Sequence, residues 1–69
     1  MKTFLIRLND GQYVMNVRLT SNYLDYARTR DREKASRLND FDSQLVLKRL
    51  RNSGERNAVR EEAPSEENL

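Results

Sequence analysis

Ten arginines and three tyrosines carry most of the chemistry available to this 69-residue chain, and that chemistry is recognition. A guanidinium offers carboxylates, phosphates and aromatic faces a planar fork that lysine lacks. Only three of the thirteen cations are lysine. Arg7 and Arg18 fall across a predicted hairpin, and Arg28, Arg30 and Arg32 recur at alternate positions, with Arg37 close behind. Ordinary solvated charge is the plain explanation for such a set. Against it, Arg32 and its neighbours sit at the start of a predicted helix, where positive charge opposes the helix dipole.

Catalysis has little to work with. The chain has no His and no Cys, so it lacks a general base suited to neutral pH, a thiolate nucleophile and the usual zinc or haem ligands. The carboxylates of Asp31, Glu33, Asp40 and Asp42 stand in turns and first helical turns, where capping accounts for them. Neither Gly11 nor Gly54 belongs to a phosphate-cradling loop. A non-enzymatic protein is therefore expected, with no catalytic residue, no metal site and no cofactor.

Two kinds of partner remain. Arg and Tyr are typical anchors of protein interfaces, which favours docking on a larger protein. The same arginines could track phosphates while Tyr13, Tyr23 or Tyr26 stacked on bases, which makes nucleic acid the alternative. No standard motif for reading DNA or RNA accompanies them. No apolar stretch approaches the length needed to span a bilayer, and the N-terminal run is broken at Arg7, so a soluble cytoplasmic protein is expected, without a membrane partner.

The elements that must position these residues begin with Thr3–Leu8 and Gln12–Leu19, two strand-like runs flanking Asn9-Asp10-Gly11. Asp-Gly between such runs is a strong hairpin signal. A two-residue Asp10-Gly11 loop sets Leu8 against Tyr13, Ile6 against Met15 and Phe4 against Val17, which gathers apolar side chains on one face. A three-residue Asn9-Asp10-Gly11 loop, pairing Ile6 with Val14, is the alternative; patterning prefers the first. In that register Thr3, Leu5 and Arg7 lie opposite Val14, Asn16 and Arg18 on a second face, so Leu5 and Val14 join the arginines as contact candidates. The edge of the first strand, or this face, also gives the chain a reason to form a homodimer.

Tyr23–Arg30 reads either as a strand, with Leu24, Tyr26 and Arg28 on one face, or as a helix capped by Ser21 that brings Tyr23 to Ala27; two tyrosines in eight residues, and the need of a hairpin for a third strand, favour the strand. Asp31 then caps a short helix over 32–38 that places Ala35 and Leu38 on one side. Asp42 caps a second over Ser43–Arg51, burying Leu45, Val46 and Leu50, with Phe41 stapled on Val46 and Ser53-Gly54 as the stop.

Charge divides the chain. Residues 1–52 hold eleven Lys and Arg against six Asp and Glu, and only four hydrophobic residues lie beyond them. So sparse an apolar content predicts a disordered acidic tail over 53–69.

Asp10-Gly11-Gln12-Tyr13-Val14, the Thr29–Leu38 segment, Asp42 and the apolar helix together resemble small uncharacterised accessory proteins of phages and mobile elements of Gram-positive bacteria. The resemblance covers roughly residues 3 to 50. It implies a β-meander leading into a helix, and a non-enzymatic protein acting on a host or phage macromolecule in the host cytoplasm. The expected fold is α+β: a hairpin or three-stranded meander packed against one or two short helices, forming one domain over 1–52. The expected function is a protein-docking regulator or inhibitor, and the contact candidates are Arg7, Arg18, Arg28, Arg30, Arg32, Arg37, Leu5, Val14 and Tyr26.

Overall fold

The computed structural model describes residues 2–63. Strands β1 (Phe4–Arg7), β2 (Tyr13–Leu19) and β3 (Leu24–Thr29) form the expected meander. A single 3₁₀ turn, Arg32–Lys34, leads to helix α1 (Asp40–Asn52), and β4 (Val59–Glu62) completes an antiparallel sheet of order β3-β2-β1-β4. The fold is α+β, a four-stranded sheet with one helix. Among the described residues no helix is long and apolar enough to cross a membrane.

β4 corrects the expected boundary at residue 52. Val59–Glu62 pairs with Arg7–Phe4 along the whole of β1, and Ala58 and Ala63 are buried. A strand this short needs few apolar side chains when backbone bonds and charge pairs hold it. Residues 64–69, the remainder of the predicted tail, lie outside the described residues. The edge of β1 proposed for homodimerisation is covered by β4.

The hairpin adopts the three-residue loop. Arg7 pairs with Tyr13, Leu8 N donates to Gln12 O at 2.7 Å, and Gly11 takes a φ of 85°. The left-handed region suits glycine, which has no Cβ to clash. The preferred register failed because it assumed regular strands. Asn16, with φ 53°, marks a bulge in β2 where pairing with β3 shifts between Met15 and Arg18. The extra residue lets Val14, Val17 and Leu19 all pack on the helix side. Asn16→Gly is expected to leave stability nearly unchanged, whereas Asn16→Val should cost about 1–2 kcal/mol, because a β-branched residue is strained at positive φ. Urea midpoints of the two variants give the comparison.

Beyond Arg7 and Tyr13, β1 and β2 diverge, and the segment 36–38 takes up their free backbone groups. Ser36 N donates to Val14 O at 3.0 Å, and Leu38 exchanges bonds of 2.7 and 2.9 Å with Phe4. The chain thereby passes from one side of the sheet to the other. Ala35 packs with Leu5, Ala63 and Tyr13, while Leu38 packs on the helix side, so the predicted 32–38 helix and its single apolar side do not form.

Asn39, rather than Asp42, caps α1, its Oδ1 accepting from Asp42 N at 2.6 Å. The helix buries Ser43, Val46 and Leu50 against Ile6, Leu8, Val14 and Ala58. At its end Glu55 N donates to Leu50 O and Gly54 is left-handed, a Schellman stop.

Candidate protein-docking surface

The arginines selected from the sequence fall into separate groups. Arg7 and Arg32 converge on Glu61 of β4, at 3.1 and 3.5 Å, and the Tyr13 hydroxyl donates to the same carboxylate at 3.2 Å. This cluster ties β4 to β2 and to the 3₁₀ turn across the face away from the helix. Arg28 lies on the helix side, where its guanidinium donates to Glu55 at 2.6 Å and to Asp10 at 3.4 Å and stands 5.9 Å from the Tyr26 ring. Arg18 and Arg30 are exposed and have no acid partner among the described residues. Arg37 is exposed in the segment between the 3₁₀ turn and α1.

Leu5 and Val14 are not contact residues. They are 2% and 0% exposed, on opposite sides of the sheet: Leu5 of β1 is packed with Ala35 and Ala63, and Val14 of β2 with Val46 and Leu50 of α1. Tyr26 is partly buried, packed on the core from β3.

The hairpin loop is fastened to the end of α1. Asn9 N donates to Glu55 Oε1 at 3.2 Å, Asn9 Nδ2 to Gly54 O at 3.3 Å, and Asn57 N to Asn9 Oδ1 at 2.7 Å. Hydrogen bonds from the Arg28 side chain and the Asn9 backbone hold the Glu55 carboxyl below its ordinary range, and the Glu55 partnership raises Arg28. Asp10 is lowered by Gln12 N and Asp40 by the Gln44 amide and Arg60. Carboxyls depressed in the folded state contribute stability that is present above their unfolded range and lost as pH falls through the folded values. The melting temperature is therefore expected to hold level from about pH 8 to 5 and to fall below about pH 4. Glu55→Gln should flatten that acid limb, as read by thermal melts.

The surface features that sequence reasoning missed lie at the N-terminal end of α1. Phe41 is 70% exposed and does not staple on Val46, and Leu45, expected in the core, is 37% exposed. Their spacing of four places them side by side on the helix. Beside Phe41 opens a hollow of about 600 Å³, lined by Lys2, Phe4, Asn39, Asp40 and Arg60. Arg60 comes from β4, stacks on Phe4 at 4.2 Å from the ring centroid, and is hydrogen-bonded to the Asp40 carboxylate and, at 3.1 Å, to Ser43 Oγ. It lies in the segment whose composition predicts a disordered tail, which hides it from sequence reading. Phe41 and Leu45 left one sequence signal: Ser43, Val46 and Leu50 already fill a helical stripe, and these two fall outside it.

Among the described residues no group of three or more Asp or Glu is placed to hold a metal ion. Comparison with protein-family models, curated proteins and solved structures gave no match.

Proposed function

We propose that this chain is a non-enzymatic binding protein of the phage-accessory type that docks on a larger protein as a regulator or inhibitor. The observation that carries the docking reading is the exposed Phe41–Leu45 pair beside a hollow walled by Phe4 and Arg60. Large apolar side chains left side by side in water mark contact sites, and aromatic residues with Arg dominate binding energy at protein interfaces. The phage-accessory part rests on the sequence resemblance alone. The nucleic-acid alternative is weakened because Arg7, Arg28 and Arg32 already hold carboxylates from residues 55–61.

Two measurements test the reading. Labelled single- and double-stranded oligonucleotides should show no anisotropy change with the full chain at about 50 mM salt; micromolar binding that collapses at about 200 mM would overturn it. In affinity capture from a bacterial lysate, Phe41→Ser with Leu45→Ser should abolish retention of a protein that the wild type and Arg18→Ala with Arg30→Ala both retain. Loss in the arginine variant alone would reject the α1 surface.

A further inference from the structure

The outer edge of β3 is the second surface on which the fold leaves strong interactions unmade. Antiparallel pairs alternate between those that exchange both backbone bonds and those whose N–H and C=O groups point away. Ser36 N donates to Val14 O from the side of β2 opposite β3, so Val14 and Arg28 form a non-bonded pair, and the backbone groups of Arg28 point outward. At the other end Thr20 N donates to Tyr23 O at 2.9 Å, which turns Tyr23 inward and Leu24 outward. Both ends agree: Leu24, Tyr26 and Arg28 present their N–H and C=O groups outward, and no described residue bonds to them.

The opposite edge is guarded. β4 is four residues long and presents Arg60 and Glu62 by the same alternation, and Arg51 occupies the Ala58 carbonyl beside it at 3.0 and 3.2 Å. β3 is six residues long and carries neither proline nor lysine; of its two charged residues, Arg28 has its guanidinium turned to Glu55 and Asp10, and the neighbouring bulge lies on the inner strand. On its helix side a hollow of about 370 Å³ opens between Tyr23, Leu24, Tyr26, Arg49 and Ser53. Arg30 at one end and Arg49 at the other have no acid partner among the described residues, against the single carboxylate of Asp25 on the strand.

We propose that β3 accepts an extended segment of a partner protein as a fifth strand, with an apolar side chain in the Tyr23–Tyr26 hollow and acidic residues at both ends opposite Arg30 and Arg49. Main-chain bonds supply the affinity in this mode and the flanking pockets supply the selectivity. The proposal shares the protein-docking reading in kind but uses a surface distinct from Phe41 and Leu45.

Amide hydrogen exchange on the full chain tests it. In the free protein the amides of Leu24, Tyr26 and Arg28 should exchange faster than those of Asp25, Ala27 and Thr29. The probe is a peptide of about ten residues, alternating Val and Thr, with paired Glu at each end. It should slow exchange at Tyr26 and Arg28, and the same peptide ended in Lys should bind about tenfold more weakly. Tyr26→Pro removes an outward N–H without breaking a bond to β2 and should abolish peptide binding. Should that variant fail to fold, the wild-type exchange pattern decides alone. Phe41→Ser with Leu45→Ser should leave peptide binding unchanged, which separates this site from the α1 surface. Peptide binding without protection at Tyr26 and Arg28, or equal affinity for the Lys-ended peptide, would reject the proposal. Protection in the free protein that grows with concentration would give the edge to a second copy and reject it equally.

Discussion

A chain ended at Asn52 is expected to be unfolded, while one ended at Ala63 keeps the fold. β1 pairs with β4 at four positions but with β2 only at Arg7 and Tyr13, so β4 supplies most of its ladder. Removing residues 53–63 also takes Ala58 from one core cluster and Ala63 from the other. Arg60 leaves Asp40 and Ser43, Glu61 leaves Tyr13, Arg7 and Arg32, and the Glu55 bonds to Leu50, Asn9 and Arg28 disappear. Each ladder bond is worth about 0.5–1.5 kcal/mol net. A domain of this size rarely has more than about 3–5 kcal/mol in total. Far-UV circular dichroism and urea melts of the two truncations decide the matter: a 1–52 chain with the midpoint of the full protein would show that β4 is ornamental.

Much of the fold was legible because local signals and tertiary demand agree there. Asp10-Gly11 marks the hairpin and Gly54 the end of α1, while the two tyrosines of 23–30 only tip a strand-or-helix segment toward β3. The failures share a cause, which is that pairing partners distant in sequence set the outcome. β1 is buried on both faces, so the two-sided pattern that assigns one face to water misplaced Leu5. The bulge at Asn16 lets Val14 share the helix side with Val17, which no regular alternation would do, so Val14 is misplaced by the sequence pattern. β4 was invisible because its acids looked unable to bury anything, yet Glu61 and Glu62 meet Arg7, Arg32 and Lys2. The arginines are legible as a set, but the acids that pair Arg7, Arg28 and Arg32, Glu55 and Glu61, lie in the segment whose composition predicts disorder. Phe41 and Leu45 read as packing residues because an apolar side chain at a helix start has two ordinary uses, and only the crowded 43-46-50 stripe tells them apart.

Leu50→Ala is expected to cost about 2–5 kcal/mol and to leave little folded protein, whereas Phe41→Ala should leave stability nearly unchanged. Both residues are large, apolar and on the same helix, so sequence alone gives them equal standing. Leu50 is fully buried with Ile6, Leu8, Val14, Val46 and Ala58, and its carbonyl accepts from Ser53 N and Glu55 N at the helix stop. Deleting its side chain leaves a void where α1 seats on the sheet, and the penalty is the lost transfer energy plus the unfilled cavity. Phe41 has most of its surface in water, so truncation removes little burial. Urea midpoints measure both, and equal losses would place Phe41 in the core. Near-silence of Phe41→Ala in stability, together with loss of partner capture in the variant carrying Phe41→Ser, is the combination that separates a residue kept for contact from one kept for packing. A capture defect accompanied by a stability loss like that of Leu50→Ala would instead trace it to unfolding, and the α1 surface would lose its claim.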